Sequence, residues 1–155
     1  MSKDFVQLCY VTSDFDRAID ELRSAHGIGP FKELRDHRVP TSASQAAIGH
    51  FGLAFKGDTQ FEVIEPLSGD VGIYRDVFDG TGFQMHLHHT GRHIASLADY
   101  RTALAQLKSR WPTPIDMEGF GGYYAYIDAR PLYGHYLELL CFPQASVATD
   151  DVPRY

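Results

Sequence analysis

Two stretches of this chain end in the same shape: Gln60-Phe61-Glu62-Val63-Ile64-Glu65-Pro66 and Tyr136-Leu137-Glu138-Leu139-Leu140-Cys141-Phe142-Pro143. Each is a short β-type run with a glutamate among apolar neighbours and a proline at its end. A carboxylate in such surroundings is costly to bury unless its charge is compensated. Its repetition suggests two copies of one unit, each aiming a carboxylate at a shared site. Two further polar residues obey the same repeat. Gln7 and His89 each stand seven residues before a helix cap, Asp14 and Ser96. One imidazole, two carboxylates and one amide oxygen form a borderline-to-hard donor set. Such a set suits Zn, Mn, Fe, Co, Ni or Mg. Four protein ligands on an octahedral ion leave two positions for a substrate with neighbouring oxygens, whose carbonyl the metal would polarise. A carboxylate nearby could then move the proton of the adjacent carbon.

The elements that must position these residues are legible in outline. In the first half, residues 5–12 read as a strand. Residues 14–25 read as a helix with Phe15, Ala18, Ile19 and Leu22 at helical spacing. Strands follow at about 30–38, 46–56 and 60–65, with a small polar loop at 40–44. In the second half, residues 84–94 read as a strand and 96–110 as a helix striped by Leu97, Tyr100, Leu104 and Leu107. Strands follow at about 113–118, 122–129 and 135–142, with Gly119, Gly121 and Gly122 marking a hairpin. Each half is thus βαβββ, spanning about 5–66 and 84–143 within one domain of residues 1–155. Residues 67–83 form the linker, with one helical turn near 73–78, and residues 144–155 form a loose tail. One helix covers one face of four strands, so two units side by side can curl their open faces into a cleft. The expected class is α+β: paired modules, a curled mixed sheet and helices outside. Strand alternation puts Gln7, Cys9 and Val11 on one face, with Gln60 and Glu62, His89 and Gly91, and Tyr136 and Glu138 on the matching faces of their strands.

Composition narrows the function. Fourteen basic against twenty acidic residues give a net charge of -6. That argues against nucleic acid or an anionic membrane surface as partner. No apolar run approaches a membrane span, and the opening residues lack the layout of a secretion signal, so a cytoplasmic protein is expected. Cys9 and Cys141 read as small buried hydrophobes rather than a disulfide.

The paired halves with these four positions resemble the vicinal oxygen chelate superfamily of glyoxalase, bleomycin-resistance and dioxygenase proteins. The resemblance covers roughly residues 5–143 and is nearest to the methylmalonyl-CoA epimerase-like branch. It rests on Gln7-Leu8-Cys9-Tyr10-Val11 with Asp14, on His88-His89-Thr90-Gly91, on Glu62-Val63-Ile64-Glu65-Pro66 and on Glu138-Leu139-Leu140. The resemblance implies Gln7, Glu62, His89 and Glu138 as ligands of a divalent metal ion. It also implies Glu138 or Glu62 as the base of an enolising isomerase, epimerase or lyase, acting on a small carbonyl compound in a homodimer. The order Gln/Glu/His/Glu is similar to that of some glyoxalase I enzymes, whereas epimerase members more often carry His first. Two alternatives stand beside this reading: an Fe(II) ring-cleaving dioxygenase, which needs a second imidazole from His88 or His93, and a non-catalytic small-molecule (drug) binding protein.

Side-chain parity makes further assignments. His86 and His88 should pack beside the helix or meet solvent, unless a one-residue bulge exchanges His88 with His89. His93, about 13 Å beyond His89 at the usual rise, should line the cleft or its rim. His50 could enter the cleft, and Glu65 should be at the surface. Tyr123, Tyr124, Tyr126 and Tyr136 should mainly pack as aromatics. Arg92 and Arg130 are the cations that could otherwise pair with the two glutamates.

Overall fold

The computed structural model describes residues 4–144 and 149–155. The first half comprises β1 (Phe5–Thr12), α1 (Phe15–His26), β2 (Lys32–Pro40), β3 (Ala46–Lys56) and β4 (Thr59–Gly69). A short α2 (Gly72–Arg75) lies between the halves. The second half comprises β5 (Met85–His93), α3 (Leu97–Lys108), β6 (Ile115–Gly119), β7 (Gly122–Ile127), α4 (Arg130–Tyr133) and β8 (Tyr136–Cys141). The strands form one eight-stranded mixed sheet in the order β2-β3-β4-β1-β5-β8-β7-β6. The halves meet at the antiparallel pair β1–β5, and each first strand runs parallel to its fourth, β1 with β4 and β5 with β8. The sheet therefore repeats itself outward from a central seam.

Helix placement follows from local sequence. The Asp14 side chain accepts the Arg17 N–H and Ser96 that of Asp99, so both helices start where a capping oxygen satisfies an orphan donor. Phe15, Ala18, Ile19 and Leu22 of α1 pack on Ala54 and Val63. Tyr100 and Leu104 of α3 pack on Ala125, Ile127 and Leu139. Each buried Phe, Leu, Ile or Val side chain among these stabilises the fold by about 1.5–3 kcal/mol. With the helices on these faces, the opposite faces curl together. The edge strands approach each other there, and the Tyr124 hydroxyl donates to the Pro40 carbonyl.

The end of the chain differs from the expected loose tail. Residues 145–148 lie outside the described residues, but beyond them the backbone pairs with β3. The Phe55 N–H donates to Pro153 O at 2.7 Å and Tyr155 N–H to Phe55 O at 3.0 Å. Val152 is buried in the core, and the Arg154 guanidinium lies 3.8 Å from the centre of the Phe55 ring. Polarity suggested solvent, but backbone pairing and one valine are enough to dock the segment. α4 was not expected either. It occupies the residues left unassigned between the expected strands at 122–129 and 135–142.

Candidate metal centre

The site is built from two adjacent rows across the concave face of the sheet. In one row the register sets Glu62 of β4 beside Cys9 of β1, and Cys9 beside His89 of β5. In the next row it sets Gln60 beside Gln7, Gln7 beside Gly91, Gly91 beside Glu138 and Glu138 beside Tyr126. Four strands thus bring the four anticipated residues to one point, which is the Nε2 of His89. It lies 3.0 Å from Glu138 Oε2, 3.1 Å from Gln7 Oε1 and 3.4 Å from Glu62 Oε2. Gly91 makes this approach possible, because a Cβ there would stand 2.8 Å from Gln7 Oε1 and 2.9 Å from its Cβ.

The supporting contacts fix the direction of each group. The Gln7 Nε2 donates to Gln60 Oε1 at 2.9 Å, which turns the amide oxygen of Gln7 toward His89. His88 Nε2 meets the Ile73 carbonyl at 2.9 Å, and a carbonyl only accepts, so that nitrogen carries the His88 proton. Burial holds the His88 imidazole at a pKa of about 3, so the ring is neutral and its Nδ1 accepts. That Nδ1 lies 2.8 Å from His89 Nδ1, which must therefore donate. The chain from Ile73 through His88 thus leaves His89 Nε2 to face the three oxygens. The Tyr126 hydroxyl donates to Glu138 and lies 3.1 Å from that of Tyr74.

Charges respond to this enclosure. Burial alone would lower the His89 pKa, but Glu138 and then Glu62 outweigh it and raise it to about 9. Burial raises Glu138 above the usual carboxylate range against the opposing pull of His89. Cys9 completes a group of Cys, Glu and His whose ligand atoms lie within 4.8 Å of one another. Burial, and then Glu62, push its thiol well up, so it stays protonated.

Measured from His89 Nε2, the cluster has the spacing of the ligands of a divalent ion. Ligand distances near 2.1 Å place neighbouring ligands of an octahedral ion about 3 Å apart. The three oxygens stand at this spacing from His89 Nε2. A single N–H can make only one linear hydrogen bond, so three oxygens around one nitrogen exceed what that bond needs and form a ligand-like arrangement. The arginine alternatives fall away: Arg130 pairs with Asp128 at 2.7 Å, and Arg92 is exposed on β5.

Several placements differ from the parity reading. His88 is neither beside a helix nor in solvent. The β1–β5 register slips so that Cys9 faces His89 and Tyr10 faces Leu87. His88 is the bulged residue and is buried behind His89, while His89 keeps its place. His93 does not line the cleft: it is stacked between Phe5 and Phe142, and its Nε2 accepts the Phe142 N–H at 3.1 Å. His50 stays outside the cavity, against Phe15, and accepts the Asp36 N–H at 3.1 Å. Glu65 is half-buried and caps α1 through the Phe15 N–H at 3.1 Å. Tyr124 and Tyr126 face the cavity, whereas Tyr123 packs on Tyr100. His37 enters from β2, and no sequence signal marked it. Cys9 and Gln60 shared the ligand face by alternation, but their types suggested no role.

No known family model and no curated protein matches the chain. Solved structures do. Methylmalonyl-CoA epimerase from Streptomyces coelicolor, in complex with 2-nitronate-propionyl-CoA, superposes with a TM-score of 0.58 at 13% identity, over 89% of this chain and 96% of that one. The methylmalonyl-CoA epimerase from Mycobacterium tuberculosis gives 0.56 at 14%, over 90% and 87%. A hypothetical protein from Bacillus halodurans gives 0.59 at 13%, over 94% and 99%. The chain has the vicinal oxygen chelate fold. In this vicinal oxygen chelate sheet, all four anticipated residues project from the concave face at its centre. Among the described residues, no helix is long and apolar enough to cross a membrane.

Proposed function

We propose that the protein is a metal-dependent epimerase or isomerase that enolises a small carbonyl compound bearing neighbouring oxygens. One observation carries this reading: Gln7, Glu62 and Glu138 present oxygens to His89 Nε2 at the floor of a cavity. These four residues would hold a divalent ion of the Zn, Mn, Fe, Co, Ni or Mg type. Such an ion, when bound, polarises a carbonyl and acidifies the neighbouring C–H bond. Glu62 is the group we assign to take that proton. Its side chain is the more open of the two carboxylates, 14% exposed against 6% for Glu138, and its contact with His89 is the longer. Glu138 is held in place by Tyr126. The electron pair of the broken C–H bond passes to the carbonyl oxygen. Delivery of a proton to the opposite face of the same carbon, for which Glu138 is the donor we assign, completes an epimerisation, and return of the Glu62 proton to a neighbouring atom completes an isomerisation. A single active-site carboxylate acting this way contributes about 10²–10⁴-fold.

The dioxygenase alternative needs a second imidazole at the ion. Neither candidate is disposed to supply it. Both ring nitrogens of His88 are engaged by Ile73 and His89, and His93 accepts from Phe142.

The test is the metal content of the protein as purified, by mass spectrometry, beside Glu138→Ala. Near-stoichiometric divalent metal in the parent and its loss in the variant are expected. Metal-free parent protein that takes up no Zn, Mn, Co or Ni on addition would refute the proposal and leave a small-molecule binding cleft.

A further inference from the structure

The cavity above the four polar side chains is small and uncharged apart from its floor. It measures about 80 Å³, whereas pockets enclosing a drug-sized ligand run to roughly 300–1,000 Å³. It therefore admits one small group. Among the described residues that line it, the charged ones are Glu62 and Glu138, and none is a lysine or arginine. Arg38 is exposed, and its charge reaches the Tyr124 hydroxyl from outside. Burial lowers the pKa of His37, so this ring is neutral near pH 7. The wall is a run of rings that crosses from one half to the other. Phe51 meets His37 edge-on at 5.9 Å, His37 lies 5.3 Å from Phe120, and Phe120 lies 6.0 Å from Tyr124. Phe120 reaches its place from a turn with φ at 57°, a left-handed conformation that a bulky side chain rarely adopts. Strain of this kind persists where the surroundings hold it, and it clusters at ligand sites.

The charge balance points the same way. A divalent ion with Glu62, Glu138 and a neutral His89 would sum to zero, which leaves no net positive charge to favour a ligand carboxylate away from the ion. An aromatic wall offers a flat apolar group stacking and edge contacts.

We infer that the group entering this cavity is uncharged and aromatic, attached directly to the paired oxygens of the substrate, and that a carboxylate-bearing thioester such as methylmalonyl-CoA is not its ligand. The paired oxygens and the charge count with the ion rest on the reading given under Proposed function; the shape preference and the lack of a lysine or arginine in the lining rest on the cavity alone.

Calorimetric titration at pH 7.5 with three probes tests it: 2-hydroxyacetophenone, neutral with its ring beside two oxygens; phenylglyoxylate, the same ring with a carboxylate; and methylmalonyl-CoA. The neutral probe should bind at least about tenfold more tightly than either anion. Phe120→Ala should weaken it by about threefold to tenfold, as expected for the loss of one aromatic contact. Equal or tighter binding of either anion overturns the inference, and so does a failure of all three to bind. Metal content measured on the same sample keeps the two readings apart. Bound metal with a preference for anions sinks only the substrate class. Absent metal sinks the metalloenzyme, while the ranking of neutral and anionic probes still decides the cavity's preference.

Discussion

His88 touches no cavity, yet it decides which nitrogen of His89 faces the cluster. Its Nε2–H is spent on Ile73 O and its Nδ1 accepts from His89 Nδ1. Outer partners of this kind typically account for 10–100-fold in metal affinity. His88→Ala should therefore weaken metal binding by that order, measured by competition with a chelator. His88→Asn, whose side-chain oxygen can stand where Nδ1 does, should recover a good part of it. A variant that melts like the parent but shows undiminished affinity would remove His88 from the site. At this scale the sequence was informative about the four side chains that cluster and mute about their supports. Glu62 and Glu138 stand out because carboxylates among apolar strand residues demand compensation, and Gln7 and His89 because each stands seven residues before a helix cap. Gln60 and Cys9 lie on the same face by simple alternation. However, nothing about a lone glutamine or cysteine says that one orients the Gln7 amide and the other borders Glu62. Those roles depend on which residues the register sets opposite them.

Elements carry the next layer. The hairpin between β6 and β7 turns through Phe120 and Gly121, both at positive φ, 57° and 79°. Two-residue hairpins of this twist favour Asn-Gly. Phe120→Asn should thus lose roughly 1–2 kcal/mol of left-handed strain while giving up ring contacts with His37 and Tyr124. We expect the variant to melt no lower than the parent yet bind an aromatic ligand more weakly. A clearly lower melting temperature would mean that the ring holds the fold rather than the ligand. The strands, helices and caps were readable because their periodicities repeat over many residues. Bulges were not, because one inserted residue leaves no trace in composition. β2 slips its register between Leu34 and His37, so both face inward although three positions apart. β5 slips at His88 in the same way. Strict alternation therefore assigned His88 to the wrong side and missed His37, while His89, which lies on the site side of the slip, stayed where the helix-cap alignment put it.

At the scale of the whole molecule, the site is also the bolt between the halves. Gln7 and Glu62 come from the first, His89 and Glu138 from the second, and they close over the β1–β5 seam. In the metal-free protein a proton on His89 can stand in for the ion, balancing two carboxylates that would otherwise repel across the seam. The sign follows from the shift. The folded His89 pKa is about 9, above the usual 6.5, so its contribution is fully present below pH 6.5 and is lost as pH rises through 9. The shift corresponds to at most about 3 kcal/mol. His88 works in the other direction: held at about 3, it favours the fold above pH 6.5 and loses that contribution as pH falls. The metal-free protein should therefore be most stable near neutral pH, with its melting temperature dropping between pH 7 and 9.5. A bound ion competes with the same proton for the same nitrogen, because histidine ligates in its neutral form. Loading the site should thus release protons at pH 7 and flatten the alkaline limb of the profile. Melting curves recorded from pH 5 to 10 with and without metal check both statements. Parallel curves would show that the two halves are held by their sheet and helices alone, and that the cluster at the seam adds nothing to their cohesion.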